Sequence, residues 1–354
     1  MTRAVEVDRP DGNAVSVQLR PLQASDLARL SALLRETLEA PTGTAFGAEE
    51  MLAWKYLRSD PAWEGALSYV LEKNGALVAH AGVCPALFRS PTGSAVRCGT
   101  IIDWAADRGT PGAGRIVHQR LVELADATFL LGGTATTWAL TSRLGFRRRL
   151  DARVYARWVR PLTEFRLRPK SPRAVLRLLH GVVRAPFERL AKTGEWAITP
   201  VRGFDAAVQP VLHAAPHSHS RAERTVAQLN HRLECPATRT RGYLLRRRDT
   251  VAGYAIVAVG RWEAKIVELR LDATDAEEWA AAYALVTDAL SREPQVCRIS
   301  ALASVPHLQR ALESNSYWVG RVEPVSFYDP RHLMDELLPV DIQFFESDLS
   351  YYSA

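Results

Sequence analysis

The stretch VRCGTIIDWAADRGTPGAGRIVHQRLVELADATFLL, residues 96–131, decides the fold of this chain. It begins with a strand pattern at 96–105, passes through a glycine-rich turn at 108–114 and continues as an amphipathic helix pattern at 115–127. A short apolar run follows at 128–131. Glycine at the start of a helix lets a phosphate come within hydrogen-bond distance of the unpaired backbone N–H groups. The stretch therefore predicts a crossover unit with a phosphate-binding turn.

The turn does not match the glycine patterns of common nucleotide-binding folds. Its glycines are Gly109, Gly112 and Gly114, which fit neither Gly-x-Gly-x-x-Gly nor the loop that ends in Gly-Lys-Ser/Thr. Upstream, Asn74-Gly75 separates two strand patterns and predicts a β-hairpin instead of a βαβ unit. These features argue against a dinucleotide-binding fold.

The flanking sequence extends this unit to a mixed α/β domain. A strand pattern at 17–22 is followed by a helix pattern at 27–38. Beyond the quoted stretch, a helix is predicted at 136–144 and a strand at 153–159. Residues 15–160 thus predict antiparallel strands before one crossover helix.

The second half of the chain repeats this outline in weaker form. When Pro61 is aligned with Pro236, the strand and turn patterns that follow coincide within about a residue. Asn315-Ser316-Tyr317 then occupies the place of Leu144-Gly145-Phe146. We therefore predict a duplicated domain with three segments: a first domain that carries the glycine turn at 1–160, a basic helical linker at 161–199 and a degenerate second domain at 200–354.

Composition narrows the classes of function. With 47% hydrophobic and 24% charged residues among 354, the chain is typical of globular proteins. The net charge of +6 comes with only five lysines among 45 basic residues, and no basic face with interleaved aromatics is visible, so nucleic acid is not an expected partner. The four cysteines have no CxxC spacing, and no metal site is predicted. The charged N-terminus lacks the apolar stretch of a signal peptide, which predicts a cytoplasmic protein.

Three motifs resemble those of the GNAT superfamily of acyl-CoA-dependent N-acyltransferases. They are Leu19-Arg20-Pro21 with Asp26-Leu27, Arg108-Gly109 with Gly112-Ala113-Gly114, and Arg143-Leu144-Gly145-Phe146. The resemblance covers about 145 residues well, and in degenerate form the second half. It implies an α/β fold of tandem GNAT-like domains, each a mixed, mostly antiparallel sheet flanked by helices. Because the second half has no glycine turn between Leu271 and Ala276, we expect it not to bind acyl-CoA.

The resemblance also implies where acyl-CoA, either acetyl-CoA or a longer acyl-CoA, is bound. The thioester is expected between two strands that separate, at 99–105 and 129–133, with the pyrophosphate on the turn. Arg108 precedes Gly112 by four positions, one more than in the family pattern, so Pro111 is interpreted as an insertion. The predicted cofactor-binding residues are Trp104, Ala105, Arg108, Gly109, Gly112, Ala113, Gly114, Arg115 and Thr136.

Two residues are candidates for the base that removes a proton from the attacking amine. Asp103 is the first, because a carboxylate on a half-buried strand is paired, capping or functional. His80 on the neighbouring strand is the second, with a role at the edge of the core as its alternative. His118 is expected to face solvent. Backbone amides near Asp103 and Trp104 are expected to polarise the thioester carbonyl.

Other residues at the predicted site leave alternatives open. Trp54 and Tyr56 either line the pocket of the acceptor or anchor a core. The tyrosine that protonates the leaving thiolate in the family falls at Thr141, next to Ser142, and neither is a convincing acid. Either the thiolate leaves without a dedicated acid or another tyrosine reaches it.

The sequence therefore predicts transfer of an acyl group, in the first instance acetyl, to an amine such as an amino sugar or an amino-acid-like small molecule. Two alternatives remain: a non-catalytic GNAT-fold scaffold or binding protein, and a membrane-peripheral acyltransferase that uses an acyl carrier protein. The second alternative rests on the basic amphipathic pattern at 161–192, which predicts weak contact with a membrane surface or a carrier protein. The oligomeric state is left open.

Overall fold

The computed structural model describes residues 3–7, 15–39, 44–133, 135–167 and 189–351. They divide into two compact units, Met1–Phe88 with Ala95–Arg149 and Ser326–Glu336, and Arg89–Ser94 with Leu150–Val325 and Leu337–Ala354. The strands are β1 Arg3–Val7, β2 Val15–Pro21, β3 Ser68–Lys73, β4 Ala76–Arg89, β5 Ala95–Ala106, β6 Ala127–Leu131, β7 Arg147–Trp158, β8 Trp196–Val201, β9 Ser220–Ala222, β10 Arg239–Arg247, β11 Thr250–Val259, β12 Glu263–Leu271, β13 Arg298–Ala303, β14 Trp318–Tyr328 and β15 Val340–Asp341. The helices are α1 Leu27–Thr37, α2 Glu49–Tyr56, α3 Ala113–Val122, α4 Ala135–Arg143, α5 Pro161–Leu167, α6 Gln209–His213, α7 Val226–Leu233, α8 Ala276–Ser291 and α9 Pro306–Ser314.

The first unit is built on antiparallel strands that end in one parallel pair. Strands β1 to β6 follow one another in the sheet in chain order. The hairpin between β3 and β4 turns at Asn74 and Gly75, both with positive φ (51° and 80°), which confirms the predicted turn. β5 and β6 are parallel, and α3 is the crossover helix between them. The fold class predicted for this half is confirmed.

The second unit repeats this arrangement. Its strands follow the order β13, β12, β11, β10 and β8, with β12 and β13 parallel and α8 as the crossover helix. Residues 153–158 of β7 pair with β13 in this unit. Its core contains an apolar cluster that includes Val257, Ile266, Tyr283 and Leu312.

The closing helices of the two halves end in the same way. Gly145 follows α4 with φ 94°, and Ser316 follows α9 with φ 60°. Both residues lie at the positions that the internal alignment places together, and a left-handed residue after a helix is the usual way to end it. The repeat predicted from the sequence thus extends to the backbone conformation of the helix ends.

Residues 168–188, most of the basic segment at 161–192, lie outside the described residues. The domain boundaries near 160 and 200 and the contacts expected of this segment remain predictions. Among the described helices, none is both long and apolar enough to span a membrane. All four cysteines are buried, and none of them forms a disulfide bond.

Candidate active site

The parallel strands β5 and β6 separate part-way along their length. Their pairing runs from Cys98 and Ala127 to Thr100 and Phe129, and then ends. β5 nevertheless continues to Ala106 and β6 to Leu131. An opening therefore begins after Thr100, where the backbone groups on the facing edges of the two strands no longer pair with each other. Its start falls within the ranges predicted to separate.

The turn after β5 leads directly into the N-terminus of α3. Gly112 is the N-cap, with φ 84°, and no side chain caps the helix. A Cβ atom built on Gly112 would meet nothing within 4 Å, so the space beside this residue is open. The Ala113 and Arg115 N–H groups already donate to the Thr110 and Gly112 carbonyls at 3.2 and 3.0 Å, so an anion here would be held by the remaining N–H groups of the first turn and by its partial positive charge. The residues present fit a phosphate at this place.

The first part of the turn is less suited to binding a phosphate. The Asp107 carboxylate accepts hydrogen bonds from the Gly109 N–H at 3.1 Å and from the Thr110 hydroxyl at 3.2 Å. A phosphate bound at Gly109 would have to displace Asp107. Arg108 points into solvent, with 90% of its side chain exposed and Glu39 3.5 Å away. Arg115 is exposed as well.

Gly114 packs tightly against the end of β5. A Cβ atom there would lie 3.2 Å from Cβ of Ala106 and 3.3 Å from Nε1 of Trp104. The Trp104 indole N–H donates to the Gly114 carbonyl at 2.8 Å, so Trp104 fixes α3 against the end of β5. Ala105 and Ala113 are buried beside this contact. Thr136 lies in the first turn of α4.

Asp103 lies just after the point where the strands separate, in an unusual conformation. Its φ of 48° is left-handed, which a non-glycine residue in a strand rarely adopts. Its Oδ2 accepts hydrogen bonds from the Lys55 ammonium and, at 2.6 Å, from the Tyr56 hydroxyl. The Lys55 and Asp103 side chains are 1% and 2% exposed, so this is a buried ion pair. Burial alone would raise the pKa of Asp103, but the charge and hydrogen bond of Lys55 outweigh it and lower the pKa.

His80 supports the same residue from β4. Its Nδ1 lies 2.8 Å from the Asp103 carbonyl oxygen, and its Nε2 lies 2.7 Å from the Ser68 hydroxyl. A carbonyl oxygen only accepts, so Nδ1–H donates to it, and Nε2 accepts from Ser68. Burial lowers the pKa of His80 to about 4. Both nitrogens of this neutral ring are therefore engaged inside the protein.

Asp103, His80 and Tyr56 were predicted as site residues from the sequence, and the structure brings them together. Lys55, which lies with them, was not predicted. Tyr56 is buried, and Gly82 makes room for it: a Cβ atom on Gly82 would lie 2.3 to 2.5 Å from the Tyr56 ring and hydroxyl. Trp54 is half-buried on the same helix. One signal could have revealed Lys55, because it shares the buried face of α2 with Met51 and Leu52 at helical spacing.

His118 lies in the interior, so the prediction that it faces solvent is wrong. It is 4% exposed, stacks on Trp104 at a ring distance of 4.9 Å and shares one face of α3 with Val117 and Leu121. Burial lowers its pKa to about 4. Its Nε2 has no hydrogen-bond partner in the part of the chain that the structure describes. The polar neighbours that suggested exposure lie on the other face of the helix.

The hydroxyl groups at the family's tyrosine position are already used. Thr141 donates to the Thr137 carbonyl at 2.8 Å, and Ser142 donates to the Ala139 carbonyl at 3.1 Å. A tyrosine does lie nearby in the first unit: the Tyr328 ring is 5.7 Å from that of Phe146 and 6.5 Å from that of His118. Tyr328 also packs against the cluster of Ile101, Leu130 and Phe146, so it lies near the opening, as Tyr56 does at Asp103.

The comparisons with known proteins give a structural likeness without a sequence likeness. No protein-family model matches the sequence, and no curated protein resembles it. Among solved structures, a GCN5-related N-acetyltransferase from Anabaena variabilis aligns with a TM-score of 0.57 at 12% identity, over 88% of this chain and 72% of that one. A GCN5-related N-acetyltransferase from Kribbella flavida aligns with a TM-score of 0.54 at 11% identity, over 88% and 71%. A tandem GNAT protein from the clavulanic acid biosynthesis pathway aligns with a TM-score of 0.54 at 11% identity, over 88% of this chain and 98% of that one. The chain has a tandem GNAT fold.

Within this GNAT fold, the first unit brings three features of the backbone together. The opened strands, the uncapped start of α3 and the open space at Gly112 lie in one crossover unit. Among the described residues, no group of three or more His, Cys, Asp or Glu side chains could hold a metal ion. The GNAT fold thus brings together an uncapped helix start and a buried carboxylate near the opening.

Proposed function

We propose that this protein is an N-acyltransferase that moves an acyl group, in the first instance acetyl, from acyl-CoA to the amine of a small molecule. Amino sugars and amino-acid-like amines are the proposed acceptors. One observation carries the proposal: the β5–β6 pairing ends after Thr100, and the same strand runs into an uncapped helix start at Gly112. The opening suits a thioester arm, and the helix start suits its pyrophosphate.

The proposed reaction is direct attack of the amine on the thioester. Backbone N–H groups of β5 near Asp103 and Trp104 would stabilise the negative charge that develops on the carbonyl oxygen. The carbon–sulfur bond then breaks, the amide forms, and the thiolate takes up a proton, for which Tyr328 is a candidate donor.

Asp103 is the proposed acceptor of the amine proton, directly or through water. Its lowered pKa keeps the carboxylate ionised at neutral pH. Among the described residues, both hydrogen bonds to this carboxylate end on Oδ2, which leaves Oδ1 for the proton. Because a carboxylate with a lowered pKa is a weak base, it would take the proton after the amine has attacked and its nitrogen has become acidic. His80 has no free nitrogen and is proposed to position the Asp103 backbone.

The test is release of free CoA thiol from acetyl-CoA in the presence of a panel of amino sugars and amino acids. The proposal predicts thiol release that depends on one class of amine and an acylated product of matching mass. Acetyl-CoA binding without turnover on any amine would instead favour the non-catalytic scaffold, which the engaged hydroxyls of Thr141 and Ser142 motivate.

A further inference from the structure

We infer that Lys55 is a positioning residue of the acylation site: its buried ammonium holds the Asp103 carboxylate in one orientation beside the opening between β5 and β6. This inference rests on the proposed function. The sequence analysis predicted no role for Lys55. Its side chain is 1% exposed and is therefore buried away from an amine substrate.

The geometry shows how the orientation is fixed. Lys55 and Tyr56 are consecutive residues at the end of α2, and both donate to the same oxygen, Oδ2 of Asp103. Gly82 on β4 provides the space that lets the Tyr56 ring approach. The titratable groups that face Asp103 are therefore Lys55 and Tyr56 from α2 and His80 from β4.

Stability alone does not explain such a pair. A buried ion pair is often no more stable than two apolar side chains of similar volume, because removing two charges from water costs about as much as their attraction returns. This pair also lies three residues beyond the last β5–β6 pairing, next to a left-handed backbone that His80 holds through the Asp103 carbonyl. A reaction that needs an ionised carboxylate at this point of the strand would require such a partner, because the ammonium keeps the buried carboxyl group charged.

The test compares Lys55→Met with Lys55→Arg in the full chain. Removing the ammonium should raise the pKa of Asp103, because a nearby opposite charge lowers a carboxyl pKa by about 1 to 3 units. The acid limb of kcat/KM should therefore move to higher pH by that amount in Lys55→Met, while KM for acetyl-CoA stays unchanged. Lys55→Arg should restore most of the profile. If Lys55→Met does not fold, Tyr56→Phe should give a smaller shift of the same sign.

An acid limb that stays in place while the rate falls would overturn the inference and make Lys55 purely structural. Binding of acetyl-CoA to the wild-type protein separates this failure from failure of the proposed function. A wild-type protein that neither binds acetyl-CoA nor transfers its acyl group overturns the function itself.

A second inference concerns the opening in the second unit and rests on separate contacts. The parallel pairing of β12 and β13 ends at Ile266 and Ala301, although β12 continues to Leu271. The geometry points to the C-terminal residues 339–346 as an internal occupant of this opening, in the place where the first unit would take its acyl donor.

Both edges of the opening are bonded to this segment. The side-chain amide of Gln343 accepts from the Leu269 N–H at 3.0 Å and donates to the Leu269 carbonyl at 3.1 Å. On the other side, the Ser304 hydroxyl donates to the Val340 carbonyl at 2.6 Å and accepts from the Ile342 N–H at 2.7 Å. Leu269 lies three residues beyond the last pair, as Asp103 does in the first unit.

Burial and charge hold the segment in place. Val340 and Ile342 are fully buried, and Gln343 is 3% exposed. Glu346 pairs with the buried Arg224, and its other oxygen accepts from the Gln343 N–H at 2.8 Å. A ligand that carries an amide group would use the same N–H and carbonyl of Leu269 that Gln343 uses. To bind there, it would have to displace the segment and leave the partners of Gln343 and Ser304 without their hydrogen bonds.

Amide hydrogen exchange of the full chain tests this inference. In Gln343→Leu, exchange at Leu269 should be at least about tenfold faster, because a lost hydrogen bond of about 1.4 kcal/mol corresponds to that factor. Gln309→Leu, which removes a side-chain amide bonded to the Ala303 carbonyl, is the control. If Gln343→Leu does not fold, Ser304→Ala should speed exchange at Ile342. Unchanged exchange at Leu269, or protection of residues 267–271 or 339–346 on addition of acetyl-CoA, would overturn it.

Discussion

At the scale of single residues, Asp103 is the centre of the proposed chemistry. Its carboxylate is ionised, buried and held by Lys55, and its backbone is left-handed where the strands separate. A strand residue with these properties is either a structural ion pair or part of a reaction. The two roles predict different behaviour of the same substitution.

Asp103→Asn should abolish most of the turnover and also destabilise the protein. Breaking a buried pair from one side costs about 3 to 5 kcal/mol, because the remaining charge has no partner. The double variant Lys55→Met with Asp103→Leu should recover most of the unfolding free energy without recovering turnover. Urea unfolding and initial rates measured side by side provide the check. Recovery of turnover in the double variant would make Asp103 structural.

At the scale of secondary-structure elements, the turn before α3 is the decisive feature. Gly112 and Gly75 have nearly the same φ, 84° and 80°, and neither has a neighbour within 4 Å of a built Cβ atom. Alanine at either position should therefore cost a similar strain of about 1 to 2 kcal/mol. Only Gly112→Ala should weaken acetyl-CoA binding, because only Gly112 stands at the helix start. If the two variants bind acetyl-CoA with equal affinity in a titration, the phosphate does not bind at this turn.

A second prediction at this scale concerns the contact between α3 and β5. Trp104→Phe removes the indole N–H that donates to the Gly114 carbonyl and should destabilise the protein by about 1 kcal/mol. Acetyl-CoA affinity should fall as well, since the helix start is held by this bond. Thermal unfolding and titration of this variant, with Trp158→Phe in the second unit as the control, check both effects. Unaltered affinity would mean that Trp104 only fills space.

The elements were largely predictable because their signals are local. Apolar periodicity and the Asn74-Gly75 and Gly145 turns gave the strands, the hairpin and the end of α4. The features that could not be predicted from the sequence depend on contacts between distant residues. Lys55 meets Asp103 only in the folded chain, His118 faces inward although its neighbours are polar, and no local pattern links Gln343 to Leu269.

At the scale of the whole molecule, two buried and two half-buried histidines should make the protein sensitive to acid. Burial lowers the pKa of His80, His118 and His219 to about 4, and that of His307 to about 3. Unfolded histidines titrate near pH 6.5, so between these values the unfolded chain binds more protons and the unfolding free energy falls as pH falls. The slope is about 1.4 kcal/mol per pH unit for each histidine. Urea unfolding at pH 7 and pH 5 should show the loss, and His80→Gln should reduce it. A flat dependence would contradict the buried, neutral histidines.

For the whole chain, we propose one acyl-CoA site, in the first of two GNAT-like units. Calorimetric titration of the purified protein with acetyl-CoA, and then with a longer acyl-CoA, counts the sites and measures their affinity. We expect micromolar binding with one site per chain, weakened by Gly112→Ala and unaffected by Gly75→Ala. No binding of either acyl-CoA, or binding at two sites per chain, would contradict it.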